Sequence, residues 1–245
     1  MSNPLISVRG LTKVFGDFTA VNGIDFDVAK GESFGLLGPN GAGKSTTMRI
    51  LAATSTRTSG TVEILGKDPE QFGPLVRAHL GVVPQQDNLD GELTVSENLY
   101  IYGRYFGLSK KFIKNKIEEL LEFAQLEEKR DVKVDALSGG MKRRLTIARG
   151  LVSEPDILLL DEPTTGLHFH DIKKLLASFD ALLDKGHSII VIEHNLDLIK
   201  CADYILDIGP EGGENGGKLM AFGTPEEVAK NKNSITGKYL KEKLK

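Results

Sequence analysis

Gly38-Pro39-Asn40-Gly41-Ala42-Gly43-Lys44-Ser45-Thr46 decides the fold of this chain, together with two later runs. These are Leu137-Ser138-Gly139-Gly140-Met141-Lys142-Arg143-Arg144 and Leu158-Leu159-Leu160-Asp161-Glu162-Pro163. The first has the spacing G-x-x-x-x-G-K-[ST], a turn whose backbone N–H groups can wrap the phosphates of a nucleotide. Its glycines let the main chain approach phosphate oxygens that side chains would hold off. Lys44 is placed to reach the β- and γ-phosphates, and the Ser45 hydroxyl to ligate Mg²⁺. The last run is an apolar strand ending in two carboxylates. Asp161 can hold the metal directly or through a water, and Glu162 can act as general base or orient the attacking water. Phosphoryl transfer needs both jobs done near one metal. Pro163-Thr164-Thr165-Gly166 makes a turn directly after them. Between the two lies a serine with two glycines ahead of a helix, a second anion site at a helix N-terminus.

Bulk properties bound the answer. The chain has 245 residues, 40% hydrophobic and 27% charged, as expected of a folded domain with a sizeable core. A net charge of -3 gives no basic surplus, so nucleic acid is not an expected partner on charge alone. One cysteine, Cys201, excludes an internal disulfide and a cysteine-rich zinc site, and a reducing cytosol is the simplest setting. Met1-Ser2-Asn3-Pro4-Leu5 shows no basic-then-apolar signal. Apolar runs such as Ile157–Leu160 are far short of the ~20 residues of a membrane-spanning helix. A membrane role would need another chain to cross the bilayer.

Apolar runs bounded by turn residues predict buried strands at Ser33–Leu37, Leu80–Val83, Ile157–Leu160, Ser188–Ile192 and Tyr204–Ile208. Helical stretches separate them, one after Lys44 and one with Ile172, Leu175, Leu176, Phe179, Leu182 and Leu183 at the 3.6 period. Strands alternating with helices argue a mainly parallel α/β sheet covered on both faces. Ile6–Phe15, Phe18–Val28 and Thr61–Leu65 look antiparallel. Residues near 88–136 break the alternation. Thr94-Val95-Ser96-Glu97 is a capping box and Ile113–Phe123 an amphipathic helix, so an inserted helical part is expected. Tyr100, Tyr102, Tyr105 and Phe106 read as core packing, with a groove for a partner helix as the other possibility. Gly212–Gly217 is a turn cluster, and Thr224 caps a short helix with Pro225 at its first position. His168-Phe169-His170 lacks a third ligand of suitable spacing and is not read as a metal site.

The phosphate loop, the serine-glycine run and the strand carboxylates, in this order, resemble the ATP-binding cassette (ABC) ATPases. What that resemblance implies is an α/β P-loop fold in one nucleotide-binding domain, 1–245. Its catalytic core would be 1–87 and 154–245, with a helical subdomain at about 88–153. It further implies that Gln85, in Val82-Val83-Pro84-Gln85, contacts Mg²⁺ and the attacking water; a surface glutamine is the alternative. Phe15 matches the aromatic that stacks on adenine, with a core phenylalanine as competitor. His194 matches the histidine that contacts the γ-phosphate. Ser138, Gly139 and Gly140 would complete the ATP site of the opposite protomer. The chain is then expected to dimerise with itself or a second ABC ATPase, and to serve a separate membrane permease from the cytoplasmic side.

Two finer resemblances meet near the carboxylates. Residues 1 to about 167 look like the ATPase subunit of ABC exporters of the nodulation-factor and drug-export branch. Gly81-Val82-Val83-Pro84-Gln85-Gln86-Asp87-Asn88-Leu89-Asp90 and Met141 carry that likeness. From about 161, the phrases Gly166-Leu167-His168-Phe169-His170-Asp171-Ile172, Val191-Ile192-Glu193-His194-Asn195-Leu196-Asp197 and Gly209-Pro210-Glu211-Gly212-Gly213 resemble the end of the UvrA family of excision-repair ATPases. A chimera is therefore suspected, with a repair-type ATPase fragment, or a fusion without a cellular role, as alternatives to the exporter ATPase. Either way the chain is expected to fold as one body, with strand Ser188–Ile192 beside strand Ile157–Leu160.

Overall fold

The structure, a computed structural model, describes residues 4–244; residues 1–3, where no signal segment is read, and residue 245 lie outside the described residues. The chain opens with strands β1 (Ile6–Phe15), β2 (Phe18–Val28) and β3 (Ser33–Leu37), helix α1 (Lys44–Leu51), strand β4 (Ser59–Ile64), helix α2 (Gly73–Arg77) and strand β5 (Leu80–Val83). Helices α3 (Val95–Tyr105), α4 (Lys110–Ala124) and α5 (Gly139–Gly150) follow. Then come β6 (Ile157–Asp161), α6 (Phe169–Asp184), β7 (Ser188–Ile192), α7 (Leu196–Ile199) and β8 (Tyr204–Gly209). The last elements are β9 (Lys218–Gly223), α8 (Pro225–Lys230) and α9 (Ile235–Lys243).

Two sheets result. One is three-stranded and antiparallel, in the order β2-β1-β4. The other has six strands in the order β5-β6-β7-β3-β8-β9, parallel except for the edge strand β9. The expected neighbours pair as read from the sequence, with Leu158 opposite Ile189 and Asp161 opposite Ile192. β4 differs from the expected Thr61–Leu65. It ends at Ile64 because Leu65 turns to φ 53°, outside the extended region a strand needs.

The period of two along each central strand sorts side chains between two cores. Ile157, Leu159, Ile190 and Ile192 face the three-stranded sheet and α1. Leu158, Leu160, Ile189 and Val191 face the helices α3 to α6. All are buried, and burying each such side chain is worth roughly 1.5–3 kcal/mol. Burial on both faces is what a continuous apolar strand predicts for a parallel sheet.

In the helical part, Thr94 and Glu97 form the expected capping box at the start of α3. α4 turns Ile113, Ile117, Leu120, Leu121 and Ala124 inward. The aromatic group corrects the sequence reading. Tyr100 and Tyr102 pack partly on this core, but Tyr105 is 81% exposed and Phe106 is 39% exposed at the end of α3. At the other end of the chain, Thr224 and Glu227 form a second capping box, with Pro225 in the first turn. The Gly212–Gly217 cluster contains a single 3₁₀ turn, Gly213–Asn215. α9 is tied back to the sheet, where the buried Asp207 of β8 accepts from Ser234 Oγ (2.6 Å). The segments before and after residue 167 thus share one sheet.

Candidate active site

The carboxyl ends of β3, β6 and β7 lie side by side, since Leu36 and Asp161 both pair with Ile192. A crevice at the carboxyl ends of parallel strands is where such sheets bind ligands. The loop after β3 fills one wall. At Gly43 φ is 103° and a Cβ would lie 2.2 Å from Ala20 O; at Gly38 φ is 136° and a Cβ would lie 2.0 Å from Ile208 O. Only glycine fits those two positions. α1 begins directly behind, and Thr47 N–H is its first amide to turn back, to Gly43 O (2.9 Å). The amides of the first turn ahead of it point out of the helix end, the arrangement that receives an anion.

Lys44 is buried, and its Nζ donates to Gly38 O (2.7 Å) and Pro39 O (3.0 Å). Burial lowers its pKa, against the raising influence of Glu162, Asp161 and Asp207. Across the crevice, burial raises the Asp161 carboxyl above the usual carboxylate range, with Glu162 adding to it and Lys44 and Arg143 opposing. Two adjacent carboxylates face a lysine already engaged by its own loop. That donor set, with the Ser45 hydroxyl on the same groove as Asp161, suits a hard divalent cation with oxygen ligands.

Glu162 is the hub. Its backbone sits at φ 44°, an uncommon conformation for a side-chain-bearing residue, held by Glu162 N–H to Ile192 O (2.8 Å). Its Oε2 accepts from Gln85 Nε2 (2.7 Å) and Thr165 Oγ1 (3.2 Å), and His194 Nε2 lies 3.4 Å from Oε1. Pro39, Asn40, Gly41, Ser45, Gln85, Glu162 and His194 line one open cleft. Gln85 is therefore not an isolated surface glutamine. The structure brings together residues as far apart in sequence as Pro39 and His194.

Other expected residues stand apart. Phe15, at the tip of the β1–β2 hairpin, is 52% exposed with Lys13 Nζ 4.8 Å from its ring, so it is no core phenylalanine. Ser138 caps α5, accepting from Met141 N–H (3.3 Å), and Gly139 faces open space. Neither Ser138, Gly139 nor Gly140 lines the cleft among the described residues. Asp171 Oδ2 lies 2.9 Å from the Cβ position of Gly140, and Asp171 also pairs with Arg144 (3.2 Å).

Beside the cleft, the buried charges of Glu193 and Arg143 escaped the sequence reading. Glu193, 3% exposed, accepts from Thr164 N–H (2.7 Å) and the Thr164 hydroxyl with one oxygen. Its other oxygen accepts from His194 N–H (2.7 Å) and Asn195 N–H (2.9 Å). It thereby fixes His194 to the turn after Glu162. Arg143, also 3% exposed, donates to main-chain carbonyls around the site. A charge closing an apolar strand, and a basic residue on the buried face of a helix, were the available signals.

Comparison with known proteins places these features. The sequence pattern of the family described as ABC transporter matches residues 21–165. A relative from Rhizobium sp. (strain N33), the Nod factor export ATP-binding protein I, is 50% identical over 197 residues, 80% of this chain and 65% of its own length. The protein of the same name from Ralstonia nicotianae is 45% identical over 228 residues, 93% of this chain and 69% of its own length. Among solved structures, the ATP-binding subunit of an ABC transporter is similar with a TM-score of 0.81 at 26% identity, over 98% of this chain and 99% of that one. A dimeric ATP-binding cassette in a post-hydrolysis state, bound to ADP and Pi, has a TM-score of 0.76 at 26% identity, over 89% and 98%. An alignment of 228 residues in a chain of 245 cannot stop at residue 167, so exporter likeness crosses the expected junction. The expected UvrA-like end and the chimera find no support in these comparisons.

Proposed function

This chain belongs to the ABC transporter family, and we propose that it is the ATP-binding, ATP-hydrolysing domain of an exporter. The observation that carries the proposal is the convergence of Gln85, Glu162 and His194 on a cleft walled by the Gly38–Thr46 loop. Exporter function is favoured over a repair-type ATPase fragment by the Nod factor export relatives.

The loop amides, Lys44 and Thr46 bind the ATP phosphates, and Phe15 offers its exposed ring to the adenine. Ser45, Asp161 and Gln85 hold Mg²⁺, whose chemistry when bound is to neutralise phosphate charge and orient the phosphates. Glu162 takes a proton from the attacking water as the water oxygen bonds the γ-phosphorus and the bond to the bridging oxygen breaks, leaving ADP and phosphate. His194, held by Glu193 and beside Glu162, contacts the γ-phosphate. The whole of 1–245 acts as one nucleotide-binding domain, with 1–87 and 154–245 as core and about 88–153 as the helical subdomain. In support of one domain, α3, α4 and α5 share a hydrophobic cluster with β6, β7 and α6 of the core.

Ser138, Gly139 and Gly140 form a helix N-terminus outside the lining of the chain's own cleft, in keeping with a site completed by a second protomer. The assembly is a homodimer or a pair with another ABC ATPase, joined to a separate permease at the cytoplasmic face of the membrane. Among the described residues no helix is long and apolar enough to cross a membrane. The groove edged by Tyr102, Phe106, Arg77 and Val82 offers apolar surface to a partner helix. The test is light scattering of the Glu162→Gln protein. With ATP and Mg²⁺ it should run as a dimer and without nucleotide as a smaller species, and adding Ser138→Arg should abolish the dimer. A monomer under every condition would overturn the shared-site proposal.

A further inference from the structure

Arg143 lies in the first turns of α5, close after Ser138, and is used by no step described above. Its guanidinium donates to four carbonyls in two segments far apart in sequence. Nη1 reaches Pro84 O (2.6 Å) and Gln85 O (3.3 Å), Nη2 reaches Asp161 O (2.9 Å), and Nε reaches Pro163 O (3.1 Å). Asp87, 3.7 Å away, supplies the facing carboxylate. Burial lowers the guanidinium's pKa, while Asp87, Glu193 and Asp161 oppose that, and an arginine stays charged.

Thr146 and Arg149 follow on the same helical face at steps of three. Thr146 Oγ1 donates to Asp87 Oδ1 (2.9 Å), and Arg149 Nη1 to Asn88 O (2.8 Å). α5 therefore grips the run from Pro84 to Asn88 at several points. Of these three side chains, Arg143 alone also reaches the turn that carries Glu162.

We propose that Arg143 is a positioning residue for hydrolysis. By bonding the main chain of both the Pro84–Gln85 and the Asp161–Pro163 segments, it sets the Gln85–Glu162 contact and so the place of the water's proton acceptor. The proposal rests on the hydrolytic function proposed above. A planar fork with five N–H donors can span both segments, whereas a lysine presents its donors from one nitrogen. Releasing one segment lets Glu162 drift from Gln85, and a misplacement of about 1 Å costs on the order of 10²-fold in rate.

The experiment uses the full chain with Arg143→Lys, Arg143→Gln and Asp87→Asn. Phosphate release, ATP affinity and backbone hydrogen exchange are measured on each. In Arg143→Lys, kcat should fall on the order of 10²-fold while KM and ATP affinity stay within a few-fold of the parent. Exchange at Val83–Asp87 and Glu162–Leu167 should rise together, with β6 and β7 as protected as in the parent. Asp87→Asn, at a part-exposed position, removes the anion facing the guanidinium and should lower kcat several-fold at unchanged KM. Parental kcat in a folded Arg143→Lys overturns the proposal. So does global loss of protection in both Arg143 variants with parental kcat in Asp87→Asn, which would make Arg143 a stability residue only. A parent that releases phosphate no faster than Glu162→Gln refutes hydrolysis itself, whereas an active parent with an equally active Arg143→Lys refutes only the positioning role.

Discussion

Glu162→Gln separates binding from turnover. The carboxylate's two oxygens have different tasks in the structure. Oε2 accepts from Gln85 Nε2 at 2.7 Å and from Thr165 Oγ1 at 3.2 Å, while Oε1 faces His194 Nε2 at 3.4 Å. A carboxamide has the same shape. It can keep its oxygen toward Gln85 and Thr165 and turn its NH₂ toward His194, which accepts in its neutral form. Fold and cleft should therefore survive, with a stability change within about 1 kcal/mol. What is lost is the proton acceptor. A positioned base contributes roughly 10²–10⁴-fold. At 1.36 kcal/mol per tenfold, that is about 2.7–5.4 kcal/mol of barrier. Ground-state phosphate contacts come from the loop amides and Lys44, so ATP affinity should hold or rise as one negative charge leaves the cleft. The assay is phosphate release at saturating ATP with Mg²⁺, beside equilibrium ATP binding on the same preparation. Turnover within a few-fold of the parent would remove Glu162 from the role of base. A parallel loss of affinity would instead make it a ground-state contact.

Asp161→Asn tests the cost of burying this carboxylate without any activity measurement. Burial and Glu162 raise the Asp161 pKa in the folded chain, so between the ordinary carboxylate value and the raised one the folded state binds more protons than the unfolded. Stability from this group is accordingly lost as pH rises through that window. In the absence of nucleotide and metal, Asp161→Asn should melt above the parent at neutral pH, by about 2–4 °C for each kcal/mol recovered in a chain of this size. The gap should close below the window, and a variant melting lower than the parent at neutral pH would reverse the sign. Gly43→Ala should cost roughly 1–3 kcal/mol for its backbone conformation alone, before the contact with Ala20 O, and weaken ATP binding. Gly139→Ala, which meets open space, should leave the melting temperature unchanged, and equal melting of the two variants would contradict the close approach.

Most of the strands were legible because burial on both faces leaves uninterrupted apolar runs, and the Thr94 capping box and the Thr224 cap because their chemistry is local. Ser33–Leu37 and Ser188–Ile192 are strands within the bounds read from sequence. The phosphate loop was equally legible, since a glycine turn running into a helix is a local device. The edge strand β9 and helix α9 were missed because each is half-exposed, β9 pairing with β8 along one edge only and α9 being tied down through Asp207 of β8. The exposure of Tyr105 was misread because aromatic content does not say which side of a helix is covered.

The sequence by itself determined the chemistry available to this protein: a phosphate cradle, two strand-end carboxylates, a capped helix N-terminus and a mainly parallel sheet. Only the tertiary structure decided how those parts meet. Gln85 reaches Glu162 because β5 and β6 are neighbours, and His194 reaches it because β7 lies on the other side of β6. Glu193 and Arg143 could not be assigned from their own neighbourhoods, because the groups that satisfy their charges come from other segments of the chain. Local propensity is written in adjacent residues, whereas the compensation of a buried charge is settled by which strands and helices the fold sets side by side.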